Sequence, residues 1–293
     1  MEKVLITGGA GFLGRHLIKH LLYGYRNIEV RAISRQENEI VEMIVACNNN
    51  SRLKPIIGDI RDVDTVKYAL DDVDTVVHLA AMKHIDFCDM YPSEAVYTNI
   101  LGTMNLLKVF TGDTFIGMST DKAVEATGCY GATKLLLEKL ILEQAAKNPK
   151  RRYIVVRSGN IFGSSGSVIQ KWKKQIKQNN KVTVTNMEMT RFYIDVNVLA
   201  NFIIRTINKG KSGKIYIPFQ KTASLGDLAR AMVELYGDRK TKIEVTGLRE
   251  GEKMHEHLFS SSKKEIVTDL KNEYSEHGDR ISIDEIKEWI SNC

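Results

Sequence analysis

The chain has 293 residues, of which 43% are hydrophobic and 27% are charged, with only four prolines. This is the composition of an ordinary globular protein, and it excludes a fibrous or disordered chain. The formal net charge of +6 comes from lysines and arginines scattered among acidic residues, apart from short clusters at 147–152 and 171–174. Nucleic-acid binding needs a concentrated basic stripe, so we expect no nucleic-acid partner; the excess charge suits an anionic nucleotide ligand.

The cysteines give no sign of a metal site or a disulfide framework. Neither CxxC spacing nor a histidine at metal-ligand distance accompanies Cys47, Cys88, Cys129 or Cys293. We therefore expect a reducing, cytoplasmic environment. No apolar run reaches the roughly 18 residues of a membrane helix, so we expect no membrane partner.

The first half of the chain alternates short apolar runs with segments of helical periodicity. Apolar strands are predicted at 4–6, 30–33, 55–57, 73–79, 114–118 and 153–156, and helices between them, for example at 95–110 and 132–146. Repeated βα units of this kind predict an α/β fold with a Rossmann-type, doubly wound parallel sheet. Its ligand crevice is expected at the carboxyl ends of the strands.

The alternation becomes irregular after residue 163. Later elements are predicted as helices at 168–178, 196–208 and 224–236 and a strand at 182–185. We therefore predict two lobes: a Rossmann domain formed by residues 1–160 and 192–217, and a smaller C-terminal substrate-binding lobe formed by residues 161–191 and 218–293.

A glycine-rich turn near the N-terminus predicts a dinucleotide site. Gly8, Gly11 and Gly14 are spaced three apart between the first strand and the first helix, and without Cβ atoms the backbone N–H groups can approach a pyrophosphate. Where an NAD enzyme usually has an acidic residue after the second strand, this chain has Ser34 and Arg35. A hydroxyl and a cation suit a 2′-phosphate, so the sequence favours NADP as the cofactor.

Other cofactor contacts are predicted from positions beside the glycines and at strand ends. Arg15, after the last glycine, is either a second charge for the 2′-phosphate or an exposed surface residue. Asp59 and Ile60 follow the third strand, where the adenine is expected. The small residues after the fourth strand either line the cofactor or only pack the sheet: Leu79, Ala80 and Ala81.

A Tyr-x-x-x-Lys pattern marks the predicted reaction centre. Tyr130 and Lys134 lie about one turn apart on one face of a helix, where the ammonium is expected to lower the phenol pKa and to bond the nicotinamide ribose. Tyrosinate can then act as a base near neutral pH. Ten residues upstream, directly after an apolar strand, Thr120 can share the hydrogen bond of a substrate oxygen.

With these motifs the chain resembles extended short-chain dehydrogenase/reductases that act on nucleotide sugars, specifically the configuration-inverting UDP-N-acetylglucosamine 4,6-dehydratases. The resemblance covers nearly the whole chain. The discriminating pair is Asp121-Lys122, because retaining 4,6-dehydratases typically have Asp-Glu there and epimerases lack the acid-base pair. The chain departs from the pattern at residues 125–128, where relatives often have an Asn-Pro turn. The matching motifs are residues 7–14, 80–84, 98–102, 119–123, 130–134, 157–160, 189–192 and 249–253.

The resemblance implies a catalytic role for Thr120, Asp121, Lys122, Tyr130 and Lys134. Dehydration needs a base for the 4-hydroxyl, a hydride acceptor at C4, a base for the C5 proton and an acid for the 6-hydroxyl; Tyr130, NADP, Lys122 and Asp121 match these roles in that order. Lys122 must then be partly neutral, which burial or nearby Lys134 would favour. Asp121 must be protonated when it acts, which burial would also favour. The alternative for adjacent charges is a simple surface pair.

The resemblance also assigns the remaining contacts. Arg191 and Arg249 are expected at the substrate pyrophosphate, and Glu252 at the ribose hydroxyls. It implies a homo-oligomer that binds a UDP-sugar. The substrate set is Lys83, His84, Asn160, Val168, Arg191, Arg249 and Glu252. The cofactor set comprises Thr7, Gly8, Gly11, Phe12, Leu13, Gly14, Arg15, Ser34, Arg35, Asp59, Ile60, Leu79, Ala80, Ala81, Lys83, Asn99, Tyr130 and Lys134.

The predicted activity is an NADP-dependent UDP-N-acetylglucosamine 4,6-dehydratase that inverts C5. Its product would be UDP-2-acetamido-2,6-dideoxy-L-arabino-hex-4-ulose, formed by intramolecular hydride transfer. The alternatives are a nucleotide-sugar C4 epimerase, a retaining 4,6-dehydratase acting on another UDP-hexose, and an NADP-binding protein without catalysis. A product that has lost water separates dehydratase from epimerase.

Overall fold

The structure, a computed structural model, describes residues 1–249, 251–259, 266–268 and 275–292; Glu250 and Cys293 lie outside them. The strands are β1 (Lys3–Thr7), β2 (Glu29–Ser34), β3 (Leu53–Ile57), β4 (Thr75–His78), β5 (Thr114–Thr120), β6 (Arg152–Ser158), β7 (Asn160–Ile161), β8 (Lys181–Val184), β9 (Thr190–Ile194), β10 (Lys214–Ile217), β11 (Lys221–Ser224), β12 (Lys242–Val245) and β13 (Ile266–Thr268). The helices are α1 (Phe12–Gly24), α2 (Glu37–Ala46), α3 (Val63–Leu70), α4 (Ile85–Met90), α5 (Pro92–Val96), α6 (Gly102–Val109), α7 (Cys129–Lys147), α8 (Val168–Asn179), α9 (Val196–Lys209), α10 (Leu225–Tyr236) and α11 (Ile283–Ser291).

Eight of these strands form one parallel sheet in the order β13-β10-β6-β5-β4-β1-β2-β3. The run β3-β2-β1-β4-β5-β6 is the strand order of dinucleotide-binding doubly wound sheets. The chain reverses direction across the sheet between β1 and β4, whose last residues, Thr7 and His78, are paired in register. The predicted α/β fold is confirmed, and its crevice opens beside these two residues.

Both faces of the sheet are covered because its strands are apolar on both sides. In β1, Val4 and Ile6 pack into a cluster with α1 and α9, whereas Leu5 packs into the opposite cluster with α3, α6 and α7. A strand buried on both faces needs this continuous apolar sequence. The packing holds the carboxyl ends of β1, β4 and β5 at one edge.

The rest of the described chain builds smaller sheets around a third apolar cluster. One sheet has the order β11-β9-β7 and the other pairs β12 with β8. Trp172 of α8 and Leu228 of α10 lie fully buried in this cluster. Strand β13, at 266–268, pairs with β10 in the main sheet. The predicted limits of the two lobes stay a prediction.

The helix predicted at 95–110 is interrupted by a π-helical turn. Residues Tyr97–Leu101 form this turn between α5 and α6, and its Thr98 and Asn99 are buried. The amide of Asn99 accepts from the Met82 N–H at 2.8 Å and donates to the Met82 carbonyl at 2.9 Å. An added residue in a helix re-aims its side chains, and here Asn99 is aimed at the chain that follows β4.

A buried ion pair joins α7, β5, β6 and the C-terminal segment. The Arg157 guanidinium donates to both carboxylate oxygens of Glu138, at 2.8 and 2.6 Å, and to the Leu258 carbonyl at 2.6 Å. Ser119 donates its hydroxyl proton to the same carboxylate at 2.6 Å. Both charged side chains are almost inaccessible to solvent, so each depends on the other to offset its desolvation.

We expect Glu138→Gln to destabilise the protein by about 3–5 kcal/mol, because it leaves the Arg157 charge buried without a counter-charge. The measurement is urea unfolding at equilibrium. Glu143→Gln is the matched control: Glu143 lies on the same helix, is half exposed and, among the described residues, pairs with exposed Lys147 alone. Its unfolding free energy should stay within about 0.5 kcal/mol of the wild type. Equal effects for the two variants would contradict the assignment.

Candidate active site

The glycine turn lies directly against the chain that follows β4. Gly8 has φ +68°, and a Cβ there would lie 2.9 Å from the Ala80 nitrogen and Cα. A Cβ on Gly14 would lie 2.5 Å from the Gly9 carbonyl oxygen. No side chain caps the α1 N-terminus, within the described residues, and its first turn has no acidic residue. Bare N–H groups at a closely packed turn fit the pyrophosphate of a dinucleotide.

A directional chain of hydrogen bonds fixes this turn. Thr103 donates its proton to the Asn99 carbonyl at 2.6 Å, so it must accept from His78 Nε2 at 2.9 Å. His78 Nδ1 then accepts from the Thr7 hydroxyl at 2.7 Å, and Thr7 accepts from the Ala80 N–H at 3.2 Å. Burial lowers the pKa of His78 to about 3, so its ring is neutral. The Thr7 side chain therefore positions the turn through His78.

Charged residues gather where the adenosine ribose is predicted. Arg35 is exposed, with its guanidinium 3.7 Å from Asp59. Burial raises the pKa of Asp59, but its hydrogen bonds with Arg61, at 2.8 Å from the side chain, outweigh this and hold it below its ordinary value. Arg15 pairs with Glu42 of α2 at 2.9 Å. Both arginines that were predicted to bind a 2′-phosphate thus lie beside carboxylates, which would compete with the phosphate for them.

The other predicted cofactor residues in this region belong to β2, to α1 and to the chain after β3. Ser34 ends β2, and its carbonyl accepts from the Gly58 N–H at 3.0 Å. Ile60 is buried beneath Gly102, where a Cβ would lie 2.6 Å from its Cδ1. In α1, Phe12 and Leu13 pack into the apolar cluster below the turn.

Lys83 and His84 connect the end of β4 with the loop before α8. The Lys83 ammonium donates to the Ser165 carbonyl at 2.9 Å. The His84 ring fills the space beside Gly166, where a Cβ would lie 2.5 Å from its Cε1. Asn99 is fully buried, and its amide is bonded to Met82 and to the Thr133 hydroxyl at 2.9 Å. Asn99 therefore braces the site, and its contact with the cofactor stays a prediction.

The predicted catalytic residues come together at the end of β5. Thr120 is the last residue of β5, and its hydroxyl lies 2.8 Å from Asp121 Oδ1. The Lys122 ammonium donates to the same oxygen at 3.0 Å. Asp121 is fully buried, and its Oδ2 has no hydrogen-bond partner within the described chain. The Tyr130 hydroxyl bonds to Thr120, which therefore has one proton to share between Tyr130 and Asp121.

The structure corrects the expectation for Tyr130 and Lys134. Burial raises the pKa of Tyr130 to about 12, and the charge that opposes this rise is Lys122. Lys134 instead donates to the Met118 carbonyl at 2.8 Å. Burial lowers the pKa of Lys134 to about 8. Burial thus outweighs the lowering of the Tyr130 pKa that its one-turn spacing from Lys134 led us to expect.

The expectation of a partly neutral Lys122 is also corrected. Burial does lower its pKa, as expected, but the carboxylates of Asp121 and Glu256 outweigh burial and raise the pKa above its ordinary value. Lys122 Nζ lies 3.6 Å from Glu256 Oε1. Asp121 is fully buried and the Lys122 side chain is 19% exposed, so the two form a largely buried ion pair and not a surface pair.

The predicted substrate residue Arg191 lies close to the Lys122 group, because both contact Glu256. Arg191 is buried, and its guanidinium donates to the carbonyls of Thr190, Met254 and Lys253 at 2.7, 3.2 and 2.9 Å. Three of its five N–H groups are thus committed, which leaves Nε and one Nη2 hydrogen. Glu252 lies 3.9 Å from this guanidinium.

Other predicted substrate residues are more loosely placed. Arg249 is exposed, and its guanidinium lies 3.3 Å from Asp86. The backbone N–H of Arg249 donates to the Glu252 carboxylate at 3.2 Å. Asn160 donates to the Phe192 carbonyl at 3.2 Å. Val168 begins α8 and packs against the third apolar cluster.

Sequence analysis missed two buried residues of this site, Glu256 and Tyr193. Glu256 is 4% exposed and faces both Lys122 and Arg191. Burial raises the pKa of Tyr193, in β9, to about 12, and the nearby charges are Arg191, Lys122 and Asp121. The sequence feature that could have pointed to Glu256 is its position, four residues after Glu252 and just beyond the matching motif at 249–253.

The described residues form no metal centre, and their cysteines are unpaired. No group of histidine, cysteine, aspartate and glutamate side chains there could hold a metal ion. None of the helices in that part of the chain combines the length and apolar character needed to cross a membrane. Cys47, Cys88 and Cys129 are free thiols.

We expect Lys134 to make the stability of the cofactor-free protein rise with pH above about 8. The unfolded chain keeps this proton up to its ordinary pKa of 10.5, whereas the folded chain loses it near 8. The unfolding free energy of the wild type, relative to Lys134→Met, should rise by about 1 kcal/mol per pH unit from pH 8 to 9.5. Lys139→Met, an exposed lysine of the same helix, should preserve the rise. A flat difference between wild type and Lys134→Met would refute the assignment.

Known proteins resemble this chain along nearly its whole length. A family model described as "Polysaccharide biosynthesis protein" matches residues 4–277. The inverting UDP-N-acetylglucosamine 4,6-dehydratase of Campylobacter jejuni is 35% identical over 280 residues, covering 94% of this chain and 82% of the relative. A Rickettsia bellii protein named UDP-glucose 4-epimerase is 37% identical over 281 residues, covering 93% and 82%.

A solved structure has the same fold. Pen from Bacillus thuringiensis superposes with a TM-score of 0.90 at 33% identity, covering 100% of this chain and 98% of that one. The predicted resemblance to extended short-chain dehydrogenase/reductases is confirmed. The chain belongs to the polysaccharide biosynthesis protein family, among its nucleotide-sugar dehydratases and epimerases.

Proposed function

We propose that the protein is an NADP-dependent UDP-N-acetylglucosamine 4,6-dehydratase that inverts C5. The observation that carries the proposal is the buried Asp121–Lys122 pair, joined at 3.0 Å beside Tyr130 and with one Asp121 oxygen left unbonded within the described chain. C4 epimerisation has no use for an acid and a base beside C5 and C6. The homo-oligomer and the cytoplasmic location remain predictions.

Oxidation at C4 requires Tyr130 to take the 4-hydroxyl proton as tyrosinate. Burial opposes tyrosinate, whereas the Lys122 ammonium and the Thr120 hydroxyl favour it. A charged Lys122 therefore assists this first step. A bound nicotinamide would supply the hydride chemistry, taking hydride from C4 and returning it at C6.

Elimination of water then requires Lys122 as a base and Asp121 as an acid. Moving one proton across the 3.0 Å hydrogen bond from Lys122 to Asp121 gives a neutral amine and a carboxylic acid. The C5–H bond breaks and its proton goes to Lys122, the C5–C6 double bond forms, and the 6-hydroxyl leaves with the Asp121 proton as water. The pair ends in its starting state, Lys122 charged and Asp121 ionised. Inversion follows when a solvent proton reaches the opposite face of C5.

The cofactor site is proposed for NADP in particular. The residues present fit a dinucleotide because the turn at Gly8 is closely packed and the first N–H groups of α1 are uncapped by side chains. Arg15 and Arg35 are cations near the end of β2, where a 2′-phosphate would need them. For the UDP moiety, Arg191 and Arg249 are proposed at the diphosphate and Glu252 at the ribose, while Lys83 and His84 are proposed to line the sugar pocket.

The direct test is to incubate purified protein with UDP-N-acetylglucosamine, or with UDP-glucose, and to analyse the products by mass and NMR. We expect UDP-N-acetylglucosamine to lose 18 mass units, to acquire the L-arabino configuration and, in deuterium oxide, to carry label at C5. A D-xylo product throughout the early time course would reject inversion. A product of unchanged mass would instead identify the epimerase activity for which the Rickettsia relative is named.

The same assay tests the acid. Asp121→Asn should reduce formation of the dehydrated product by roughly 10²–10⁴-fold, as loss of a general acid does. Asp89→Asn serves as the control, because Asp89 is an exposed carboxylate that caps the N-terminal turn of α7 through the Cys129 N–H. It should affect stability more than turnover. Undiminished dehydration by Asp121→Asn would remove Asp121 from the mechanism.

Cofactor preference is tested by calorimetric titration with NADP and NAD. We expect tighter binding of NADP by the wild type and a shift towards NAD in Arg35→Asp. Glu42→Gln should tighten NADP binding by roughly three- to tenfold at low salt, because it releases Arg15. Glu143→Gln removes an equally exposed negative charge on α7 and should have no such effect. Tighter binding of NAD by the wild type would contradict the NADP proposal.

A further inference from the structure

Glu256 is an additional acidic residue at the proposed reaction centre. Its carboxylate lies 3.6 Å from the Lys122 ammonium and 3.8 Å from Arg191 Nε, and both contacts involve the same oxygen, Oε1. The other oxygen, Oε2, is buried and has no partner within the described chain. An ionisable side chain buried this deeply is expensive unless its charge is used.

The backbone around Glu256 is held rigidly. Its N–H donates to the Ser275 hydroxyl at 2.9 Å, and its carbonyl accepts from the Ser275 N–H at 2.9 Å. Ser275 is fully buried and lies 2.7 Å from the Thr190 hydroxyl, directly before Arg191 in β9. The carboxylate is therefore fixed relative to the strand that carries Arg191 and is not a mobile surface group.

The four side chains form an alternating series of charges: Asp121, Lys122, Glu256 and Arg191. Lys122 lies between two carboxylates, and Glu256 lies between two cations. Arg191 has two N–H groups left for a ligand, and one of them, on Nε, faces Glu256. The series thus joins the pair proposed for proton transfer to the cation proposed for the diphosphate.

We propose that Glu256 is a positioning residue that couples the diphosphate site at Arg191 to the proton-transfer pair through Lys122. This inference rests on the proposed function for the roles of Arg191 and Lys122. A negative charge beside Lys122 keeps its amine protonated, and this ammonium favours tyrosinate at Tyr130 in the proposed first step. The same charge holds part of Arg191 away from a diphosphate and repels the diphosphate itself.

These two effects give opposite signs when the charge is removed. In Glu256→Gln, which keeps the size of the side chain, turnover of UDP-N-acetylglucosamine should fall by about tenfold, because Lys122 holds its proton less firmly and supports tyrosinate at Tyr130 less. Binding of UDP alone should tighten by roughly three- to tenfold, because Arg191 is released. A defect of folding would weaken both, so the opposite signs distinguish coupling from damage.

The experiment combines calorimetric titration of UDP with turnover measurements on the cofactor-loaded enzyme. Glu276→Gln is the control: it removes a half-exposed carboxylate near His255 and His277, and it should leave UDP affinity and turnover unchanged. If Glu256→Gln does not fold, Glu256→Asp withdraws the carboxylate by one methylene and should give the same two changes at smaller size.

Unchanged or weaker UDP binding in the Glu256 variants would overturn the coupling. UDP binding is measured without any sugar, so it tests the coupling independently of the substrate. A wild-type protein that binds UDP but does not dehydrate UDP-N-acetylglucosamine would overturn the proposed function alone.

Discussion

The buried ion pair of Arg157 and Glu138 determines how the reaction centre is assembled. Glu138 belongs to α7, which carries Tyr130 and Lys134; Arg157 belongs to β6 and also holds the Leu258 carbonyl. Because Ser119 donates to the same carboxylate, the end of β5 is fixed one residue before Thr120. Two elements that supply catalytic candidates, α7 and β5, are therefore held together with β6 and the segment that supplies Glu256 by one pair of opposite charges. Neither charge is tolerable in this environment without the other.

Some residues of the candidate site are proposed to act on ligands, whereas others orient neighbouring groups. The neutral His78, bonded on both ring nitrogens, and the amide of Asn99 orient backbone and hydroxyl groups. In the proposed mechanism, Lys122 and Asp121 are instead placed where their own protonation changes the chemistry. A charged lysine would favour tyrosinate for the first step, and a proton shift within the pair would prepare the second. One arrangement of charges thus suits two successive reactions.

The sequence was sufficient for the fold because local pattern and topology agree. Apolar runs such as residues 4–6 must be buried on both faces, and a glycine turn after the first strand leaves few alternatives to a doubly wound sheet. From the sequence we could also predict that one strand end carries Thr120, Asp121, Lys122 and Tyr130. It could not give their protonation, since burial raises the pKa of Tyr130 and the distant Glu256 acts on that of Lys122. Such effects depend on residues more than a hundred positions apart.

The π-helical turn at Tyr97–Leu101 makes the geometry beneath the glycine turn depend on the length of this helical segment. Removing Ile100 or Leu101 would let the hydrogen bonds close as an ordinary α-helix, with little loss of helical backbone. Every side chain before the deletion would then turn by about 100° relative to those after it. Asn99 could no longer face Met82 while Thr103 faces His78, so the frame beneath the glycine turn would lose one of its two supports. A deletion of one residue in this helical segment would therefore disturb the glycine turn, although every proposed catalytic residue would still be present.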